Sequence, residues 1–552
     1  MITEERRATA SALPADLAPA MMDVNLGAWL LFEHAAKHHG STEIVSKTES
    51  GGLHRYTYAD FARRAQQLMH ALDKLGLERG ERVATLAWNH YRHLEAYFGV
   101  PCTARVLHTL NLRLSPADLG YIIGHADDRA ILVDPDLLPL LEQVGDEMRG
   151  VKHIVVLDGE VPETSLPGVI AYEDLIADAP DSYPRQEIDE RTPLGICYTS
   201  GTTGRPKGAV YTHRSTFLHS LMVTSVAAIG FGPQDTVLPV VPMFHANAWG
   251  IPHAATAVGA KQVFPGRHLD GASLVDLFVD EEVTVTGGVP TIWMMVGEEL
   301  GRRGVKLPHM RHLLCGGSQP PRALIERFLN EFELPIIQGW GMTETSPLAT
   351  VSWPKAAMRE WPQERVVDVV RTQAGIPLPG VDVSIRGDDG NEVPWDGQSM
   401  GDLLVRGPWV VGSYLHGEGK EQFTEDGWFR TGDVAVGSPD GYFVIADRTK
   451  DLIKSGGEWI SSVDMEAVIM GIPGVAEAAV VAIPDAKWQE RPLACVVPRE
   501  GATVTLEDVH ARLLEKGFAK WQLPERIEII DAVPKTGVGK FDKKALRARF
   551  PQ

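Results

Sequence analysis

The chain has 552 residues, which at roughly 150 residues per domain is room for three or four units, or for one large composite domain and a smaller one. It carries 73 acidic against 53 basic residues, a formal charge of −20, so it repels nucleic acid and anionic lipid except at a local basic patch. No 18-residue apolar stretch is present to span a membrane, and Cys102, Cys197, Cys315 and Cys495 lie far apart without a CxxC pair, which excludes a disulfide framework or a zinc ribbon and points to a reducing, cytoplasmic compartment.

Over the first 430 residues or so, short apolar runs alternate with helical patterns. Residues 58–75 read as a helix that Gly76 stops. Residues 82–88, 130–134 and 153–158 read as strands. Strands separated by helical patterns argue for parallel sheets with helices on both faces. Residues 380–447 then change character, rich in Gly, Asp and short β-branched runs such as 381–385 and 402–406. They are expected to form a small antiparallel, barrel-like subdomain. A separate α+β module is expected from about residue 450, with helices from Ser461 and Thr505 and strands at 478–483, 494–497 and 526–530. The expected fold class is therefore α/β. A large N-terminal domain (1–447) of two parallel-type sheets plus the β-rich subdomain (380–447) is joined through residues 448–451 to a small α+β domain (452–552).

The strongest local signal is Tyr198-Thr199-Ser200-Gly201-Thr202-Thr203-Gly204-Arg205-Pro206-Lys207-Gly208. Glycines let backbone N–H groups approach an anion, hydroxyls donate to it, and the cations neutralise it, so the composition suits a polyphosphate. It is not a Walker A loop, because Lys207 precedes its glycine and an apolar run follows, where Walker A opens a helix. The loop is expected between two strands. Glu344 follows Thr343 in a loop after the apolar run 334–337. If this carboxylate lies beside the phosphate site, a cation between them is implied, here Mg²⁺. Asp433 follows Gly432.

With these residues in view the sequence resembles the adenylate-forming superfamily: acyl-CoA synthetases, peptide-synthetase adenylation domains and firefly-type luciferases. The 198–208 loop looks like its signature. Gln338-Gly339-Trp340-Gly341-Met342-Thr343-Glu344-Thr345 resembles its second nucleotide motif, and Trp428-Phe429-Arg430-Thr431-Gly432-Asp433 its ribose motif. Residues 447–458 resemble its hinge segment and Pro534-Lys535-Thr536-Gly537-Val538-Gly539-Lys540 its C-terminal lysine motif. Five motifs stand in the family's order across residues 198–540.

The resemblance implies a two-step reaction. A carboxylate attacks the α-phosphate of ATP to give acyl-AMP and pyrophosphate, and a thiol, usually that of CoA, then displaces AMP. It implies that Thr199, Ser200, Gly201, Thr202, Thr203, Gly204 and Lys207 hold phosphates, with Thr199 beside Glu344 at the metal. It implies that Gly317, Ser318 and Gln319, with Gln338, Gly339, Trp340, Gly341 and Thr343, surround the nucleotide. It implies that Asp433 accepts from both ribose hydroxyls and that Arg448 joins it. Lys540 would bridge the substrate carboxylate and the α-phosphate. Lys450 would be the hinge residue, and Lys454, Ser455, Gly456, Gly457, Glu458 and Trp459 would line the pantetheine path. His245, Asn247, Trp249, Val289 and Gly316 would form the acyl side, where the stretch from Pro242 to Gly250 resembles fatty-acyl-CoA synthetases and Trp249 would gate a tunnel. The expectation is an ATP-dependent ligase for a medium- or long-chain acid, cytoplasmic and homodimeric. Short, aromatic or sulfur-containing acids, or transfer to a carrier protein, are the alternatives, with a non-catalytic nucleotide-binding protein as a remote one.

Overall fold

The computed structural model describes residues 21–199, 205–448, 451–455, 458–485, 487–535 and 541–550, with the backbone alone at Asp146, Arg448, Lys454, Glu458 and Trp459. Four sheets organise these residues. A seven-stranded sheet runs in the order Ile170–Ala171, His153–Val156, Asp128–Val133, Arg82–Leu86, Val106–Thr109, Pro193–Tyr198, Gly208–Thr212. Every pair is parallel except the last, an antiparallel hairpin whose loop is the glycine- and hydroxyl-rich segment.

The second sheet has nine strands. Ile336–Gly341, His312–Cys315, Val285–Gly288, Thr236–Pro239, Lys261–Phe264 and Glu43–Lys47 pair in parallel. Antiparallel strands flank them: Leu53–Thr57 at one edge, Leu348–Val351 and Ile376–Pro377 at the other. The β-rich segment forms a four-stranded antiparallel meander, Asp382–Arg386, Met400–Arg406, Phe429–Gly437 and Phe443–Arg448. The last sheet joins Glu458–Ile460, Ile453–Ser455, Gln489–Pro498 and Val475–Asp485, with Ile527–Ile529 added in parallel.

The elements form where local chemistry asks for them. The helix Tyr58–Lys74 begins at Thr57, whose hydroxyl accepts from the Asp60 N–H at 3.3 Å while the Asp60 carboxylate accepts from the Thr57 N–H at 3.1 Å. Such a cap is worth about 1 kcal/mol. Tyr58, Phe61, Ala65, Leu68 and Leu72 recur at helical spacing and all are buried. Thr505 and Asp508 build the same cap on Leu506–Glu515, the helix expected from Thr505. The strands expected in the C-terminal module are present: those at 478–483 and 494–497 lengthen to Val475–Asp485 and Gln489–Pro498, and that at 526–530 shortens to Ile527–Ile529. No helix among the described residues is long and apolar enough to cross a membrane.

Packing also buries several histidines in neutral form. Burial pushes His93, His213 and His312 down to about 4, and His219 and His253 down to about 3. Unfolding exposes them to water, where they take up protons below about 6.5. The unfolded chain therefore binds more protons in the window between about 6.5 and 4, and stability rises with pH there. Each residue contributes up to about 1.4 kcal/mol per pH unit. Unfolding free energy measured by urea titration is expected to be highest near neutrality and to fall steeply from pH 6.5 to 5. A profile flat across that range would contradict the buried-histidine account.

Candidate active site

The hydroxyl- and glycine-rich loop is pinned at both ends. The Thr199 N–H donates to the Lys207 carbonyl at 2.9 Å, and the Lys207 N–H donates to Thr199 Oγ1 at 3.2 Å. Residues 200–204, which hold Ser200, Gly201, Thr202, Thr203 and Gly204, lie outside the described residues. Lys207 Nζ reaches Glu421 at 3.0 Å and stands 5.4 Å from the centre of the Tyr414 ring.

The turn with Thr343 and Glu344 lies under this hairpin, both residues buried. Two tyrosines tie it there. Tyr211, on the second hairpin strand, donates its hydroxyl to the Thr343 carbonyl at 2.8 Å. Tyr414 donates to Glu344 Oε1 at 2.6 Å. Burial, and then the Glu344 charge, push the Tyr414 phenol well up, so it keeps the proton it donates. The Glu344 carbonyl accepts from the Val411 N–H at 2.8 Å. The turn needs glycine at 341, because a Cβ there would fall 1.8 Å from the Pro347 carbonyl oxygen. Among the described residues no three or more His, Cys, Asp or Glu groups gather to hold a metal by protein ligands alone. One buried carboxylate near a glycine- and hydroxyl-rich loop instead fits the way Mg²⁺ is held, since that ion keeps several waters and takes phosphate oxygens beside one or two carboxylates.

On the neighbouring wall Asp433 is buried in the strand Phe429–Gly437, opposite Arg448 in register. Trp340 Nε1 donates to Asp433 Oδ2 at 3.1 Å, which brings the second nucleotide motif and the ribose motif together. Gln338 lies beside Cys315 in register, and its buried Oε1 meets no hydrogen-bond partner among the described residues. Gly317 and Ser318 are exposed in the loop that follows, while Gln319 Nε2 donates to the Thr372 carbonyl at 3.1 Å.

On the acyl side the backbone makes a left-handed turn, with φ of 43°, 52°, 49° and 57° at Ala246, Asn247, Ala248 and Trp249 and 73° at Gly250. Non-glycine residues pay roughly 1–2 kcal/mol each for that conformation. Gly250 is required, since a Cβ there would lie 2.6 Å from His219 Nδ1. The turn separates two residues expected to act together. Trp249 turns to the strand ends, where its ring leaves 3.0 Å for a Cβ at Gly316, and Val289 packs over Gly317. Asn247 turns into the core instead, its Oδ1 accepting from Cys197 Sγ at 3.3 Å. His245 is half-buried at the start of the turn.

Lys450, Gly456, Gly457 and Lys540 lie outside the described residues, and Ser455 is buried with its hydroxyl accepting from Arg491 Nη1 at 3.0 Å. Sequence reading missed Tyr211 and Tyr414. Tyr211 follows the glycine- and hydroxyl-rich loop in an apolar run, and an isolated hydroxyl there was the available signal.

This is the architecture of an adenylate-forming enzyme. A crystal structure of an anthranilate CoA ligase with anthranoyl-AMP has the same fold, with a TM-score of 0.85, 24% identity and 98% of each chain covered. The AMP-binding enzyme family matches residues 31–415, and the AMP-binding enzyme C-terminal domain matches residues 464–540. The chain belongs to the AMP-binding enzyme family. A long-chain-fatty-acid–CoA ligase of Thermus thermophilus is 48% identical over 96% of each protein. A 3-methylmercaptopropionyl-CoA ligase of Ruegeria lacuscaerulensis is 43% identical over 94% of this chain and 96% of its own length. A medium-chain-fatty-acid–CoA ligase of Ectopseudomonas oleovorans is 40% identical over 94% and 95%. These relatives range the chain with the family's AMP-forming CoA ligases.

Gly341→Ala drives a methyl group into backbone and displaces the Glu344 turn. It is expected to lower unfolding free energy by about 2 kcal/mol or more and to abolish nucleotide binding by the folded fraction, read by denaturant titration and calorimetry. A variant with wild-type stability and nucleotide affinity would contradict the geometry.

Proposed function

We propose that this AMP-forming acyl-CoA ligase activates a medium- or long-chain fatty acid to acyl-AMP and then transfers the acyl group to CoA. The observation that carries the reading is the convergence of Lys207, Tyr414 and Glu344 beneath the hydroxyl-rich hairpin. The two fatty-acid ligases among the relatives support the acyl class. The methylmercaptopropionyl ligase favours, as a second reading, a short sulfur-containing acid.

The chemistry explains the apparatus. A carboxylate is a poor acyl donor because its leaving group is an oxide. Its oxygen attacks the α-phosphorus of ATP, the bond to the bridging oxygen of pyrophosphate breaks, and AMP becomes the leaving group. CoA sulfur then attacks the acyl carbon, and AMP departs with the electron pair. In this reading Thr199, residues 200–204 and Lys207 hold the phosphates. Gly317, Ser318, Gln319, Gln338, Gly339, Trp340, Gly341 and Thr343 surround the nucleotide, and Asp433 with Arg448 takes the ribose. Glu344, with Thr199, is the seat of Mg²⁺, which neutralises phosphate charge when bound. Lys540 stabilises the charge that develops between carboxylate and α-phosphate. Trp249, Val289 and Gly316 wall the acyl channel with His245 near the reacting carboxylate, while Asn247 holds the turn.

Rotation about residues 448–451, centred on Lys450, exchanges the C-terminal domain (452–552) between two poses against the N-terminal domain (1–447). One presents Lys540. The other presents Lys454, Ser455, Gly456, Gly457, Glu458 and Trp459 to the pantetheine arm. A homodimer in the cytoplasm completes the reading.

The test is pyrophosphate and AMP release with ATP and Mg²⁺ over acids from C3 to C18, with and without CoA. Expected are pyrophosphate with C8–C18 acids, AMP release that needs CoA, and a shifted chain-length profile in Trp249→Ala. Pyrophosphate only with short acids would replace the fatty-acid reading by the second one, and CoA-independent turnover would exclude CoA as acceptor. Separately, Lys540→Ala is expected to lose acyl-AMP formation by at least about a hundredfold yet to convert supplied acyl-AMP and CoA to thioester. Equal loss of both half-reactions would refute its role.

A further inference from the structure

We propose that Tyr414 is a positioning residue of the adenylation site, its hydroxyl setting the Glu344 carboxylate for the metal while its ring seats the Lys207 ammonium. The inference rests on the reading of Glu344 as the metal's residue and Lys207 as a phosphate residue, and it assigns a part to a side chain that touches neither substrate nor metal.

Tyr414 is buried, and it is tied on every side. Its hydroxyl donates to Glu344 Oε1 at 2.6 Å. Its backbone bridges to Ala209, the residue after the loop-closing Gly208. Its ring packs on Gly419, where a Cβ would lie 2.6 Å away. The Lys207 ammonium stands 5.4 Å from the ring centre and 3.0 Å from Glu421. One side chain thus joins the anion on one sheet to the cation on the other.

The physical consequence follows from geometry. A hydrogen bond to one carboxylate oxygen fixes the rotation of the group and so the direction in which it presents charge. Without that bond the carboxylate must be ordered when the metal arrives. The ring acts differently. An aromatic face attracts the ammonium without neutralising it, so the cation stays available to phosphate oxygens. A carboxylate partner such as the exposed Glu421 has to be displaced by the nucleotide, whereas the ring does not.

The two parts separate by substitution. Tyr414→Phe removes the hydroxyl and keeps the ring; Tyr414→Leu removes both. The full-length protein is titrated with Mn²⁺ in the presence of a non-hydrolysable ATP analogue, with bound metal read by electron paramagnetic resonance. The Phe variant is expected to bind Mn²⁺ about 10- to 100-fold more weakly while its affinity for the metal-free analogue is unchanged. The Leu variant is expected to lose affinity for the metal-free analogue as well. In turnover, the Phe variant is expected to need more Mg²⁺ for half-maximal acyl-AMP formation and to convert supplied acyl-AMP to thioester at the wild-type rate.

Wild-type Mn²⁺ affinity in the Phe variant would overturn the proposal. So would equal loss of both half-reactions, which marks a packing role alone. The binding arm uses no acid. An error in the acyl class would silence acyl-AMP formation in the wild type too and leave the Mn²⁺ difference intact, so the two failures are distinguishable.

Discussion

A carboxylate taken out of water must be met by hydrogen bonds or counter-charge, or its burial costs several kcal/mol. Glu344 is such a group, 6% exposed at the end of a parallel strand. The arrangement around it answers that demand. Tyr414 donates a hydrogen bond, Val411 and Tyr211 fix the backbone of the turn, and the Lys207 ammonium stands 5.4 Å from the centre of the same tyrosine ring. The hairpin of the seven-stranded sheet, the turn of the nine-stranded sheet and the segment after the meander's second strand are thereby held to one place. The fold and the proposed chemistry share a requirement here, since the carboxylate that must be satisfied for folding is the one proposed to face the phosphates.

Much of this was legible in the sequence because it is written in residue types at short range. The 198–208 loop announced itself by glycine, hydroxyl and cation within eleven positions, and the structure sets it between two strands, as its flanking apolar runs implied. The helix after Thr57 and the C-terminal strands were legible for the same reason: caps and periodicity are local. Tyr414 and Tyr211 were not. They meet partners 70 and 132 residues away; a hydroxyl in the apolar run after the loop marks Tyr211 as unusual, but nothing local says that it meets the Thr343 carbonyl or that Tyr414 meets the Glu344 carboxylate.

The stretch from Pro242 to Gly250 was legible as a motif but not as a geometry. Asn247 and Trp249 stand two apart in a motif, and reading them as one wall assumes ordinary backbone geometry. The left-handed turn from Ala246 to Gly250 sends one into the core and the other to the strand ends. Such a run of positive φ survives only where surrounding contacts over-determine it. The carbonyl of His245, the Asn247 side chain and the close approach of His219 to Gly250 supply those contacts.

The central claim, that this chain makes an acyl-adenylate on its own before any thiol takes part, is met most directly by pyrophosphate–ATP exchange. Labelled pyrophosphate enters ATP only if the first step runs backwards on the enzyme. The account predicts exchange that requires a medium- or long-chain fatty acid and Mg²⁺ and proceeds without CoA. Exchange that appeared only when CoA was added, or none with any acid while the protein bound ATP, would contradict it.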